Sequence, residues 1–178
     1  EVEGLLQDVD SNEDLEIPIL EEVVLEATAE VAEEDDLIDD EIIEIFLEEA
    51  EEVLETLHEF WPTYRSDHQD TESQSTVRRA FHTLKGSGRM VKAEDIGELA
   101  WSIENMLNRV IDETISLSEN SCALIDYVIE TVPSLIEDFR NRRPAGFNIE
   151  PLIAYANALS KAETVEEFTS LFNQTEAV

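Results

Sequence analysis

Apolar residues recur every three or four positions along most of this chain, and the recurrence breaks at a few polar or proline-bearing stretches. From Asp36 onward, Ile43, Phe46, Ala50, Val53, Leu57 and Phe60 form the stripe that a core-facing helix presents. Asp39 and Asp40 stand in its predicted first turn, where carboxylates suit the helix dipole. Pro62 and the polar run from Ser66 to Ser73 are expected to end it. A second stripe carries Val77, Phe81, Leu84, Gly88 and Val91, and a third Ile96, Leu99, Ile103, Met106 and Val110. Ser118 is the expected cap of a fourth helix that buries Ile125, Val128, Val132, Leu135 and Phe139. Pro133 inside that helix predicts a bend or a division in two.

Four amphipathic helices joined by short polar turns pack most simply as an antiparallel up-down bundle, because each stripe must be covered by another. Beyond Arg143, Pro144 and Gly146 mark a break, and residues 149–159 and 165–172 read as one or two short amphipathic helices. No stretch shows the alternation of a strand, and no internal repeat is visible. The fold class expected is therefore all-α. Residues 1–35 are an acidic linker with weak periodicity, 36–143 the four-helix bundle, and 144–178 a C-terminal helical extension.

Composition sharpens this picture. Only five glycines and five prolines occur in 178 residues, which favours helices over a turn-rich β fold. The net charge is −33, and no Lys or Arg precedes Arg65. Such a surface repels nucleic acid and anionic membranes, since phosphate binding needs Lys and Arg. No apolar run approaches the roughly 20 residues of a membrane span, and the acidic N-terminus is unlike a signal peptide. The single cysteine, Cys122, excludes an internal disulfide and suits a reduced, cytoplasmic setting. It is expected to be a buried structural thiol. Beginning at Glu1, the chain reads as a piece of a longer polypeptide.

The candidate chemistry lies on the second helix, in Arg78-Arg79-Ala80-Phe81-His82-Thr83-Leu84-Lys85-Gly86-Ser87-Gly88-Arg89. His82 follows core residue Phe81 by about 100 degrees of helix rotation, at the edge of the buried stripe and within reach of solvent. Arg78, Arg79, Lys85, Arg89 and Lys92 place five of the eleven basic residues within fifteen positions. This island of positive potential can balance the charge of a phosphorylated side chain, or dock a partner rich in carboxylates. Gly86 is costly inside a helix, at about 1 kcal/mol relative to alanine. One turn after His82, it leaves the imidazole uncovered for an approaching protein. Gly88, on the core stripe, is expected to permit close helix packing. A lone histidine beside a core stripe is ordinarily inert; the basic neighbours and Gly86 argue otherwise.

The run His82-Thr83-Leu84-Lys85-Gly86-Ser87 resembles the His-x-Leu-Lys-Gly-Ser core of histidine phosphotransfer (HPt) domains, over about Asp36 to Arg143. The resemblance implies that His82 is the phosphoacceptor, Lys85 an electrostatic helper and Gly86 the docking gap. The implied partners are the catalytic domain of a histidine kinase, which holds the ATP, and a response-regulator receiver, which holds the magnesium. The chain itself shows no ATP-binding segment and is expected to carry no cofactor, and the resemblance implies a phosphocarrier domain that depends on a kinase for its phosphoryl group. A nearer likeness is to CheA-type chemotaxis kinases, in which a glutamate on the third helix bonds the histidine. Glu104 is the matching residue. It flanks Ile103 as His82 flanks Phe81, so the two can face each other, fix the tautomer and leave Nε2 free to attack. Trp101 stands where some CheA-type domains have a second histidine. The wording Gly97-Glu98-Leu99-Ala100-Trp101-Ser102-Ile103-Glu104-Asn105 also resembles the multi-HPt kinases of type IV pilus (twitching) systems.

Other patterns are weaker. Glu55-x-x-His58 has the spacing of a di-iron ligand pair, but no second such pair exists, and no metal site is expected. His58 and His68 read as surface or turn residues. The rival function is a non-catalytic helical module used for docking or dimerisation. That alternative leaves Gly86 and the basic island without a purpose.

Overall fold

A computed structural model of the chain describes residues 40–172. The expected linker over residues 1–35, and Asp36 to Asp39 before the first helix, lie outside these. Six helices follow in order: α1 (Asp40–Ser66), α2 (Thr71–Met90), α3 (Glu94–Ile111), α4 (Glu119–Arg140), α5 (Glu150–Ser160) and α6 (Phe168–Phe172). Helix is the only regular structure among the described residues. The helix α1 packs against α2 and α4, while α3 packs against α2, α4 and α5. The core is the expected set of stripes: Phe46, Leu57, Phe81, Leu84, Leu99, Ile103, Met106, Ile125 and Val128 are all nearly inaccessible. Phe46 meets Phe139 edge to face at 5.4 Å and so joins α1 to α4.

One expectation about proline is corrected and another narrowed. Pro62 does not end α1, which runs on to Ser66. The last turn is anchored by tertiary contacts: Trp61 and Tyr64 are buried, and Trp61 Nε1 donates to Asp126 Oδ1 at 2.6 Å. Arg65 adds ion pairs of 2.9 Å to Asp126 and 2.8 Å to Glu119. Nor does Pro133 divide α4, which is continuous from Glu119 to Arg140. Both prolines face solvent, so each removes one helix hydrogen bond where water can take the freed carbonyl, and packing on the opposite face outweighs that loss. At the C-terminal end, the helix expected over 165–172 forms only from Phe168 to Phe172. Ile43, Phe60, Val110 and Phe139, assigned to the core stripes, are half-buried.

The helix ends follow one plan. Asp70 caps α2 by accepting from the backbone N–H groups of Glu72 and Ser73, and Ser118 caps α4 by accepting from Ser121. Lys92, Glu113, Arg142 and Ala162 each take a left-handed conformation, with φ of 54 to 60 degrees, just past α2, α3, α4 and α5. In each case the next residue's N–H closes back on the helix, as Ala93 N does on Gly88 O at 2.8 Å.

The link from α2 to α3 decides the site. Only Val91, Lys92 and Ala93 separate the helices, and the buried Gly88 and Gly97 lie against each other beside the turn. A methyl group on Gly88 would come within 3.3 Å of Gly97 N and 3.4 Å of Ala93 O. The missing side chains let two backbones meet, and a tight link with no slack sets a single antiparallel register for everything further along the hairpin.

Candidate functional site

That register brings residues of α2 opposite residues of α3 in a polar ladder. Nearest the turn, Arg89 pairs with Glu98 at 2.9 Å and its guanidinium lies over the Trp101 ring, 5.9 Å from the centroid. Further along, His82 Nδ1 meets Glu104 Oε1 at 2.7 Å, and Lys85 Nζ meets Glu104 Oε2 at 2.6 Å. Beyond them Arg78 Nε donates to Asn108 Oδ1 at 2.9 Å, and its NH2 lies 4.0 Å from Glu104 Oε1.

Glu104 is the centre of this ladder. Its side chain is only 5% exposed, whereas that of His82 is 55% exposed. Burial by itself would raise the Glu104 carboxyl's pKa, but the Lys85 ammonium and the His82 ring outweigh it and hold the group below the ordinary carboxylate range. The carboxylate is therefore ionised at neutral pH, and it can accept a proton carried on Nδ1. The Lys85 contact is an ion pair rather than an aligned hydrogen bond, and no other donor reaches that oxygen among the described residues. A neutral ring whose proton is held at Nδ1 has a bare Nε2, its far nitrogen.

The space around the ring is open on one side. Nothing lies within 4 Å of where a Cβ on Gly86 would stand. Beyond Gly86 a shallow groove of about 280 Å³ runs between α1 and α2, lined in part by Ile42, Ile45, Phe46 and Met90 with His82 at its edge. Ile45 is 59% exposed and Met90 73%. These three large apolar side chains, Ile42 among them, had no place in the sequence reading. Part of their signal was available: Ile45 lies off the stripe marked by Phe46 and Ala50, so a helical projection turns it outward, whereas Ile42 projects onto that stripe one turn before Phe46 and is left exposed at the start of α1.

The basic island is present but not wholly positive. Arg79 is exposed, Arg78 and Lys85 are engaged with α3, Arg89 is committed to Glu98, and Lys92 sits in the left-handed turn. His58 and His68 are exposed, and no cluster of metal-ligating side chains occurs among the described residues. Cys122 is buried, and burial pushes its thiol up to about 11. No helix of the described residues is long and apolar enough to cross a membrane.

A solvent-facing imidazole on the second helix of the bundle is the arrangement that the histidine phosphotransfer resemblance implies, and the buried carboxylate facing it is the one implied by the likeness to CheA-type kinases. The family model of the Hpt domain matches residues 41–142, more than half of the chain, and the chain belongs to that family. It is also similar to the chemotaxis protein CheA of Listeria monocytogenes, at 22% identity over 128 residues, which are 72% of this chain and 21% of that protein. To the CheA of Borreliella burgdorferi it is 22% identical over 102 residues, 57% of this chain and 12% of the relative. The chain thus spans about a fifth of the length of these relatives or less. Among solved structures it is similar in fold to the phosphorylated P1 domain of CheA3 from R. sphaeroides, determined in complex with CheY6. The TM-score is 0.61 and the identity 17%, over 70% of this chain and 99% of that one.

Proposed function

We propose that the chain is the phosphocarrier module of a CheA-type chemosensory kinase, and that His82 carries the phosphoryl group. The observation that carries this reading is the 2.7 Å bond from His82 Nδ1 to buried Glu104, on a ring that solvent and a partner can reach. With the proton held at Nδ1, the lone pair of Nε2 attacks the terminal phosphorus of ATP bound to a kinase catalytic domain. The N–P bond forms as the bond to ADP breaks, and the positive charge gained by the ring is stabilised by the Glu104 carboxylate. In the second step a carboxylate of the receiver attacks the same phosphorus, and the electron pair of the N–P bond returns to Nε2. ATP belongs to the kinase domain and magnesium to the receiver.

The remaining residues have roles in recognition. Lys85 neutralises Glu104 and lies one turn from the phosphoryl group. The gap at Gly86 and the groove of Ile42, Ile45 and Met90 form an apolar seat beside the ring, and Arg79 and Lys92, on and just past the same helix, offer positive charge to an acidic receiver surface, whereas the charge of Arg89 is answered by Glu98. The finer assignment, to one module of a multi-Hpt kinase in a type IV pilus system within the cytoplasm, rests on the wording of the third helix around Trp101 and on the single cysteine.

Incubation with a CheA-type kinase catalytic domain and labelled ATP tests the proposal. Acid-labile, base-stable label should appear on the wild type, be absent from His82→Gln, and leave when an unphosphorylated receiver is added. Equal labelling of His82→Gln would remove His82 from the site, and an unlabelled wild type would favour the docking module.

A further inference from the structure

Glu104 has two oxygens, and three donors on α2 surround them. Lys85 occupies Oε2 and His82 occupies Oε1, while Arg78 NH2 stands 4.0 Å from that same Oε1. A guanidinium is always charged, and it binds carboxylates by paired, charge-assisted hydrogen bonds stronger than that of a neutral imidazole N–H. In direct competition for Oε1, Arg78 would prevail over the ring. It is held back by Asn108, one turn beyond Glu104 on α3, whose Oδ1 accepts from Arg78 Nε at 2.9 Å. Asn108 adds no charge of its own to the site.

We infer that Asn108 is a positioning residue: by tethering Arg78 it reserves the Glu104 oxygen for His82 Nδ1. This rests on the reading of His82 as phosphoacceptor and names a residue needed to keep it nucleophilic. Without the tether, the guanidinium closes on Oε1 and Nδ1 loses its acceptor. The ring proton then distributes between the two nitrogens, and each ring that carries it on Nε2 has no lone pair there to attack phosphorus. Arg78 and Lys85 on its own helix and Glu104 on α3 surround the Nδ1 side of His82, Asn108 reaches them through Arg78, and Glu49 of α1 lines the groove on the other side. Among these, only Glu104 is in hydrogen-bond reach of Nδ1.

A bond that merely fastens α2 to α3 would contribute to melting but not to the tautomer. The test therefore reads the ring directly, by ¹⁵N chemical shifts of the two His82 nitrogens in the purified chain at a pH where the ring is neutral. Wild type should show a protonated Nδ1 and a bare Nε2. In Asn108→Ala the two signals should move toward each other, and phosphorylation by kinase domain and ATP should slow about fivefold or more, the scale on which contacting residues couple. Combining Asn108→Ala with Arg78→Met should restore the wild-type tautomer, at the phosphorylation rate of Arg78→Met alone. Asn108→Asp, which keeps an acceptor for Nε, should retain the wild-type ring signals and covers the case in which the alanine variant folds poorly. Unchanged ring signals in folded Asn108→Ala, or a defect that persists with Arg78→Met, overturn the inference. A wild type that takes no phosphoryl group overturns the phosphotransfer reading instead, and the ring signals then decide the role of Asn108 by themselves.

Discussion

His82 and Glu104 lie 22 residues apart, yet Nδ1 of one meets Oε1 of the other at 2.7 Å, with the carboxylate sealed from water and most of the ring outside it. The pair combines a low-dielectric environment for the orienting charge with an exposed face for the reacting nitrogen. An exposed glutamate in the same place would be solvated and would hold the Nδ1 proton weakly.

Replacing Glu104 by alanine should leave an exposed histidine with no acceptor to hold its proton at Nδ1, and an unpaired Lys85. Phosphorylation of His82 under single-turnover conditions should slow by about tenfold or more, the low end for groups that orient a reacting histidine. A rate equal to that of the wild type would show that the carboxylate serves only the packing of α2 on α3.

The same carboxylate has a pH signature. Burial favours its protonated form, but Lys85 and His82 lower its folded pKa beneath the ordinary 4.5. A depressed folded pKa contributes stability that is complete above about pH 4.5 and is lost as pH falls through the folded value. Wild type should therefore exceed Glu104→Gln in stability near neutrality, and the difference should shrink below about pH 4.5, as urea denaturation at several pH values will report.

Gly86 and Gly88 should respond oppositely to enlargement although only one residue separates them. At Gly86 a side chain meets open space, so Gly86→Gln should stabilise the isolated domain by about 0.5 kcal/mol, the difference in helix propensity. Transfer to the receiver should nonetheless fall sharply, because the new side chain covers the imidazole. Thermal melting and the transfer rate of the purified variant check both parts.

At Gly88 a side chain meets the backbone of Gly97 and the carbonyl of Ala93, neither of which can rotate away. Gly88→Val should destabilise by about 1–3 kcal/mol, the usual range for an overfilled contact. Spreading the hairpin at its turn should also lengthen the His82–Glu104 bond, and slower phosphorylation would accompany the lower melting temperature.

Ala162 carries a φ of 56 degrees beyond α5, where its Cβ crowds the backbone. The conformation costs an L-residue about 1–2 kcal/mol and glycine little, while the freer unfolded chain of the glycine variant returns up to about 1 kcal/mol. Ala162→Gly should therefore raise the melting temperature slightly and leave phosphorylation unchanged.

Much of this was legible in the order of residues. The apolar stripes of α1 to α4 placed the core because helical period and burial are the same geometric fact seen from one chain. Gly86 was legible because a glycine inside an exposed helical turn has no local reason to be there. Pro62 was misjudged because local rules weigh the lost hydrogen bond and not the packing on the opposite face, and for the same reason Pro133 leaves α4 undivided. The groove of Ile42, Ile45 and Met90 was missed because exposed apolar residues become a surface only when two helices set them side by side.

The sequence by itself determined the helices, the face each one buries, the exposed position of His82 and the family to which the chain belongs, since all of these follow from residue type and short-range spacing. Tertiary structure alone decided how deeply Glu104 is buried, that Lys85 and His82 divide its two oxygens, and that Asn108 restrains Arg78. Those contacts depend on the register of α3 against α2. Gly88, Gly97 and the three-residue link between the helices set that register, and a shift of one residue would turn each partner about 100 degrees away from the site.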